Sequence, residues 1–510
     1  MPGAAPDARF GLDDAAAFRL VDGGDAAGAA GAQAAWYFAG RLVAVPVDGA
    51  AGFAHETRPM HDVRRWSDAH VRAPRERPPL VWLDDALRVR RARLAPDAAS
   101  FTAAGHSGPL RFVAKLATNS AWFDQRSAAF FAARDVALRG CADDGTFVAS
   151  ALWPEDWTLG PQPPPAFALP AAARPGLALR ALMRGTTAEA TTFSAGTLWE
   201  RTSGAPWSGC TALAFVVNGG QGDDDEAHAG HFSIATGRVA DDGAIDAWLV
   251  DSLYSLDVVS EKGIVAAPVP LDRYQGDLNS GQAWYRPSWA LVAILDDERA
   301  AVRVQSALGR VFRHFWRGEL AYYHPTDNCT SIAMDTLRAL GLDAPVAGPT
   351  ARWTAWLALP WLVLKERSVA KAKLAFDYLV TERTRLLPAV ALEAVFEALW
   401  SLAHGRGERQ GRLGMELAVD LRALAWLSLP QYPSSRAWGD APAVSLDEYR
   451  SRVPRDPAAR RIIPLAPRAL PEALRDDDIL PRLPHPSELA VRWWAVAPLA
   501  AAVLALAFLR

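Results

Sequence analysis

The sequence predicts an α+β protein with more than one domain. Its 510 residues exceed what a single hydrophobic core usually spans. Strand-like segments with turn signals dominate roughly the first 200 residues, whereas helical periodicity dominates after residue 298. Hydrophobic residues make up 50% of the chain and charged residues 22%, which excludes a disordered chain, a collagen-like fibre and a protein made mostly of membrane helices.

Charge and residue content limit the partners that the chain can have. The 54 basic and 57 acidic side chains leave a net charge of −3, and no basic stripe with interleaved aromatics occurs, so we expect no nucleic-acid partner. Three cysteines cannot build a disulfide framework. The histidines of the N-terminal region have spacings that match no metal template: His55, His61, His70 and His106. We therefore expect neither a metal nor another cofactor.

The N-terminal part, residues 1–205, is predicted to be a β-rich domain. Its candidate strands lie at 34–47, 80–83, 110–114 and 146–152. Proline-rich breaks at 161–165 and 170–175 end this region.

A β-hairpin is predicted in the central part, residues 206–350. It follows a buried strand at 211–218 and an acidic loop, and its first strand begins at His231. The turn at 240–243 returns the chain as a second strand over 245–253. A turn centred near position 242 would set His231 opposite Leu253 and Ser233 opposite Asp251. Asp251 would then be the diagonal neighbour of His231, and Ser252 and Tyr254 are the alternatives if the register slips.

Helices are predicted at 298–316, 369–378, 388–404 and 413–427. Another helix opens at Cys329 after three residues that can cap it, and Gly341 ends it. The apolar segment 353–364 is too short to span a bilayer. We interpret it as a core helix in preference to an interfacial one.

Cys329 is the residue most suited to covalent chemistry. At the first turn of a helix, unsatisfied backbone N–H groups and the helix dipole stabilise a thiolate. The spacing to the following apolar residues turns Cys329 towards the packed face of its helix. His231 is the candidate base and Asp251 the group that would orient it, while Cys141 and Cys210 lack this context and are interpreted as structural.

These residues resemble a known family. A histidine on a strand, a second strand and a cysteine that opens a helix as Asp-Asn-Cys-Thr-Ser resemble the permuted papain-like thiol enzymes. The Asn-Cys-Thr motif is similar to that of bacterial lipoprotein N-acyltransferases of the Lnb type and their uncharacterised relatives, over residues 207–342. The resemblance implies an acyl-enzyme on Cys329, proton transfer by His231, a third polar residue near Asp251, and a lipid-linked or peptide substrate.

The C-terminal part is predicted to reach and enter a membrane. After a helical extension (351–429) comes a proline-rich linker (430–490), and residues 491–510 contain an uncharged segment, 493–509. Seventeen helical residues span about 25 Å, slightly less than the roughly 30 Å hydrocarbon core. Four arginines precede the segment within about 25 residues and one follows it, which favours a single-pass anchor in the cell membrane with the bulk cytoplasmic. A buried terminal helix is the alternative.

The sequence therefore predicts a membrane-anchored, cysteine-dependent acyl-transfer enzyme, either an amide hydrolase or a lipid or lipoprotein acyltransferase. It would have a papain-like core and bind the bilayer through its C-terminal helix. The alternative is a catalytically inactive, tail-anchored scaffold with the same core.

Overall fold

The computed structural model describes a large part of the chain. The described residues are 19–20, 33–38, 41–46, 59–70, 81–83, 87–112, 125–169, 174–187, 192–219, 230–253, 269–278, 281–285, 287–316, 323–406 and 411–433. The predicted anchor, most of the linker before it, the acidic loop at 223–226, His55 and Tyr254 lie outside them. Among the described helices, none is both long and apolar enough to cross a membrane.

The chain begins with a small sheet and one helix. Four described strands pair in the order β1–β4–β3–β2. The elements are β1 (Arg19–Leu20), β2 (Gln33–Phe38), β3 (Arg41–Pro46), α1 (Pro59–Ala69) and β4 (Val81–Leu83). Helix α1 turns Asp62, Val63 and Trp66 inward.

A closed barrel follows. Five described strands close it in the order β5–β6–β7–β9–β8. The elements are β5 (Leu87–Leu94), β6 (Ser100–Ala103), β7 (His106–Phe112), α2 (Gln125–Ala132), β8 (Val136–Asp143) and β9 (Thr146–Pro154). Asp144 and Gly145, both with positive φ (44° and 74°), form the two-residue turn between β8 and β9, as an Asp-Gly pair favours. The predicted β-rich character of this region is confirmed.

The centre of the fold is an antiparallel sheet. The described strands pair in the order β10–β16–β15–β11–β12–β13–β14. The first elements are α3 (Pro175–Thr187), β10 (Ser194–Glu200), β11 (Thr211–Asn218), β12 (His231–Arg238), β13 (Leu249–Asp251), β14 (Val269–Pro270), α4 (Leu271–Gly276), α5 (Gln282–Tyr285), β15 (Ser288–Leu295) and α6 (Arg299–Trp316). The remaining elements are α7 (Cys329–Ala339), α8 (Arg352–Glu366), α9 (Val369–Val380), α10 (Arg383–Leu386), α11 (Pro388–Ala403), α12 (Arg412–Asp420) and β16 (Leu421–Leu429).

Both faces of this sheet are buried. On β11, Leu213, Phe215 and Val217 pack against a layer of helices that includes α1, α6, α7 and α11. The alternate residues Ala214 and Val216 pack against the barrel side. This burial explains why the 211–218 segment is continuously apolar instead of alternating with polar residues. The content is α+β, as predicted.

One predicted helix is corrected by strand pairing. The helix predicted over 413–427 ends at Asp420, and the chain continues as β16 between β10 and β15. The hydrogen bonds and side-chain packing of two neighbouring strands outweigh the helical propensity of this alanine- and leucine-rich segment. Because β10 and β16 belong to the central sheet, that sheet extends beyond the 206–350 segment in both directions.

The second correction concerns the apolar helix α8. Its prediction as a core helix is wrong, because Trp353 is 82% exposed and Leu357 83% exposed. By contrast, Trp289 and Trp426 are fully buried in the sheet. Apolar character alone did not distinguish the two environments.

Candidate active site

His231 is the first residue of β12 and lies at one end of the central sheet. Phe232 and Ile234 pack on the helix-covered face, so alternation turns His231 and Ser233 towards the barrel side. The ring is buried, 4% exposed, and its Nε2 lies 2.6 Å from Ser252 Oγ. This hydroxyl therefore orients the imidazole.

The predicted register of the hairpin is wrong by one residue. In the structure Asp251 pairs with Ile234 and Val250 with Ala235, whereas Ser233 was predicted to face Asp251. A one-residue shift moves each side chain to the other face of the sheet. Asp251 consequently lies on the helix-covered face, away from His231. Ser252 occupies the position next to His231 that the sequence analysis assigned to Asp251.

Asp251 is not in a state suited to stabilising an imidazolium. It is 8% exposed, and its Oδ2 has no hydrogen-bond partner among the described residues. Burial raises the pKa of this carboxyl well above its ordinary value of 3.8. Burial therefore disfavours the charged carboxylate, which is the form that would stabilise a nearby imidazolium.

Cys329 is the first residue of α7, and the helix start is capped as predicted. The Asn328 Oδ1 accepts hydrogen bonds from the backbone amides of Thr330 and Ser331, both at 2.9 Å. The backbone amide of Asn328 in turn donates to Ser331 Oγ at 2.7 Å, which completes a capping box. Cys329 is 7% exposed, with its Sγ 3.8 Å from Thr330 Oγ1.

Helix α7, which Cys329 opens, packs against β12, the strand that His231 opens. His231 is paired with Asn218 at one end of the sheet, and β15 runs from there to Leu295 at the other end. Helix α6 begins four residues later, and its 18 residues span about 27 Å, close to the roughly 26 Å of an eight-residue strand. Helix α6 is therefore long enough to run back along the full length of such a strand before α7 begins. His231 points to the barrel side, whereas α7 packs on the helix-covered face. The two side chains can therefore meet only past the end of β12.

The segment that precedes Cys329 is held by two later helices. Tyr323 donates its hydroxyl hydrogen to Asp377 Oδ2 on α9 at 2.8 Å. Arg385 on α10 donates to the Thr326 carbonyl at 3.0 Å and to Asp335 on α7 at 2.7 Å. The helical extension therefore fixes the position of the helix start that carries Cys329.

A buried polar cluster beside His231 was missed by the sequence reasoning. Tyr274 donates its hydroxyl hydrogen to Asn218 Oδ1 at 2.5 Å and accepts from Ser233 Oγ at 3.2 Å. Asn218 Nδ2 donates to Ser288 Oγ at 2.6 Å. Two of these residues carried a signal, because Asn218 ends an apolar strand and Ser288 opens another. Tyr274 carried none, since it comes from a short helix distant in sequence.

The remaining cysteines are set apart from this arrangement. Cys141 lies on barrel strand β8, and Cys210 directly precedes β11. Burial raises the pKa of the Cys210 thiol, which favours its inert form. Within the described ranges no group of three His, Cys, Asp or Glu side chains is placed to hold a metal ion.

Comparison with protein-family models, with curated proteins and with solved structures finds no match to this chain.

Proposed function

We propose that the protein is a cysteine-dependent acyl-transfer enzyme in which Cys329 is the nucleophile and His231 the proton carrier. The observation that carries the proposal is the position of Cys329 as the first residue of a capped helix that packs on the strand opened by His231. The papain-like core and the likeness to lipoprotein N-acyltransferases belong to this proposal. They are supported by the order of histidine strand, second strand and cysteine helix on an antiparallel sheet.

The first half-reaction forms a thioester on Cys329. The Sγ thiolate attacks the carbonyl carbon of an amide or ester, and the tetrahedral intermediate expels an amine or alcohol. His231 takes the thiol proton and gives it to that leaving group. In the second half-reaction water or an amine attacks the thioester, His231 accepts the proton that the attacking group loses, and the Cys329 thiolate leaves as the acyl product forms.

The helix start contributes the electrostatic part of the proposal. The positive end of the α7 dipole favours a thiolate over a thiol at Cys329. The backbone amide of Cys329, at the first position of α7, is the proposed oxyanion donor. Ser252 replaces Asp251 as the group that orients His231.

The proposed enzyme is tied to a membrane by residues 493–509, with its bulk in the cytoplasm. The support is the uncharged run itself and the arginines before it. An inserted tail resists extraction of the full chain from membranes by alkaline carbonate. Release of the protein by carbonate would contradict the anchor.

An inactive scaffold is the second candidate function. The observation that favours it is the burial of Cys329, because a cysteine buried on a helix often serves as a small apolar residue.

Thiol labelling across pH 5 to 9 separates the two candidates. We expect iodoacetamide to modify Cys329 in the native protein at a lower pH than Cys210, which serves as the reference within the same chain. His231→Ala should move Cys329 labelling to higher pH, and Ser252→Ala should do so to a smaller degree. Ser233→Ala, a buried serine on the same face, is the matched control. Labelling of Cys329 that requires denaturant would refute the enzyme and support the scaffold.

A further inference from the structure

We propose that the α8–α9 hairpin is a membrane-docking element that inserts one face of α8 into the surface of an anionic lipid bilayer. The docking face consists of large apolar side chains of α8: Trp353, Trp356, Leu357, Trp361 and Leu364. This attachment is separate from the predicted C-terminal anchor, and it does not depend on the proposed acyl-transfer chemistry.

The docking face is turned away from the protein. Trp353 is 82% exposed, Leu357 83% and Leu364 77%, while of the α8 side chains, all of which the structure describes, only Ala355 and Leu362 are buried. At 100° per residue the docking face forms one stripe about 140° wide. In a helix that packs on a protein core such a stripe faces inward. Here its orientation is reversed, as in helices that lie in a membrane interface.

Helix α9 packs against α8 and carries exposed apolar side chains of its own. The rings of Trp356 and Phe376 meet edge to face with centroids 4.6 Å apart, which joins the two helices. Leu374 and Tyr378 on α9 are also exposed, at 38% and 37%. The contact between Trp356 and Phe376 therefore holds α8 and α9 together as a hairpin.

Charge identifies an anionic lipid surface as the occupant. Basic residues outnumber acidic ones by five to two between positions 352 and 377: Arg352, Lys365, Arg367, Lys371 and Lys373 against Glu366 and Asp377. The Lys365 ammonium lies 4.8 Å from the centroid of the Trp361 ring, so a cation sits at the border of the docking face. Tryptophan beside lysine and arginine matches the boundary between acyl chains and anionic headgroups.

Docking would also set the height of Cys329 above the bilayer. Tyr323 is hydrogen-bonded to Asp377 of the hairpin at 2.8 Å, and the Lys373 ammonium lies 5.2 Å from the Tyr323 ring centroid. The same segment leads through Asn328 into Cys329. If the proposed acyl transfer holds, this connection places the thiol near lipid-linked substrates; that consequence alone rests on the proposed function.

The test places a spin label on the docking face of the full-length chain. Leu357→Cys and Met415→Cys are introduced separately into a Cys141→Ser, Cys210→Ser, Cys329→Ala background, which leaves one thiol in each protein. Met415, on α12, is 56% exposed and is the matched control. With vesicles of phosphatidylcholine and phosphatidylglycerol, we expect collisions of the position-357 label with oxygen to rise and those with a water-soluble nickel chelate to fall. The position-415 label should not change.

A second comparison measures binding strength. A triple variant, Trp353→Ser with Leu357→Ser and Trp361→Ser, should bind vesicles at least about tenfold more weakly than the wild-type full chain. If the C-terminal segment keeps the variant on the vesicle, α8 should lie less deep in the bilayer. The control pair Met415→Ser with Val419→Ser, also on an exposed helix face, should have no effect. Higher salt, or vesicles of phosphatidylcholine alone, should weaken insertion. Both conditions reduce the attraction between the basic residues of the hairpin and anionic headgroups.

Two outcomes would overturn the proposal. The first is a position-357 label that responds to vesicles no more than the position-415 label does. The second is a position-357 label shielded from both quenchers before lipid is added. Such shielding would show that protein covers the docking face, either the 493–509 segment of the same chain or a second copy. Because the background lacks Cys329, neither outcome depends on catalysis.

Discussion

Replacing Asp62 with asparagine is expected to weaken the contact between α1 and the helix layer. Asp62 accepts two hydrogen bonds from Arg310 on α6, at 2.8 and 2.9 Å, and its Oδ2 lies 3.2 Å from His314 Nε2. Asp62, Arg310 and His314 are each at most 1% exposed. Asp62→Asn keeps the shape but removes the negative charge, so Arg310 loses its buried counter-ion.

The pKa of Asp62 sets the size and pH dependence of this effect. Burial alone would raise it, but the hydrogen bonds from His314 and Arg310 outweigh burial and lower it from 3.8 to about 2. Because the folded pKa is the lower one, ionised Asp62 stabilises the fold above about pH 4. That stabilisation, about 2 kcal/mol, is lost as the pH falls to 2, with about half of it gone at pH 3. At pH 7 Asp62→Asn should lower the free energy of unfolding by about 3 to 5 kcal/mol, since it also breaks a buried ion pair by removing one partner.

Urea unfolding at several pH values, followed by circular dichroism and tryptophan fluorescence, tests this reasoning. We expect the difference in free energy of unfolding between wild type and Asp62→Asn to shrink by about 1 kcal/mol between pH 6 and pH 3. Asp143→Asn removes a surface ion pair with Arg111 whose side chains are more than half exposed, and should cost less than about 1 kcal/mol. A loss below about 1 kcal/mol for Asp62→Asn at pH 7, or a pH-independent difference, would refute the argument.

Three further predictions concern single substitutions, one of them with a matched control. Asn328→Ala should destabilise the protein by about 1 kcal/mol, because the caps on two α7 amides are lost; urea unfolding measures this. Gly243→Ala should lower the free energy of unfolding by about 2 kcal/mol or more, because φ is +74° and a Cβ would lie 2.4 Å from the Gly160 backbone nitrogen. The control Gly204→Ala, at φ +75° with open space around the Cβ, should lower it by about 1 kcal/mol. Asp251→Asn should stabilise the protein increasingly from pH 4 to pH 7, because burial raises the pKa of Asp251 and the wild type resists ionisation there; unfolding free energies against pH measure the gain.

Each of these expectations can fail in a distinct way. Equal costs for the two glycine variants would show that the close approach to Gly160 does not matter. An Asn328→Ala variant as stable as wild type would show that water or other groups replace the cap. A loss of stability for Asp251→Asn at pH 7 would show that the folded protein needs the carboxylate, and would return Asp251 to the candidate site.

Local patterns in the sequence were sufficient for much of this protein. The capping residue Asn328 and the helix that Cys329 opens were both predicted from the sequence. Each depends on interactions among residues a few positions apart, such as an Asn side chain and the amides that follow it. The same is true of the helix predicted at 388–404, which the structure has as Pro388–Ala403.

Tertiary structure decided what depends on residues far apart in the chain. Segment 421–429 became a strand because β10 and β15 offered it two hydrogen-bonding edges. Asp251 moved to the opposite face because a shift of one residue in pairing inverts every side chain, and turn position alone does not fix that shift. Likewise, the hydrophobicity of α8 did not determine whether its apolar face is buried in the core, since burial depends on which surfaces the whole fold brings together.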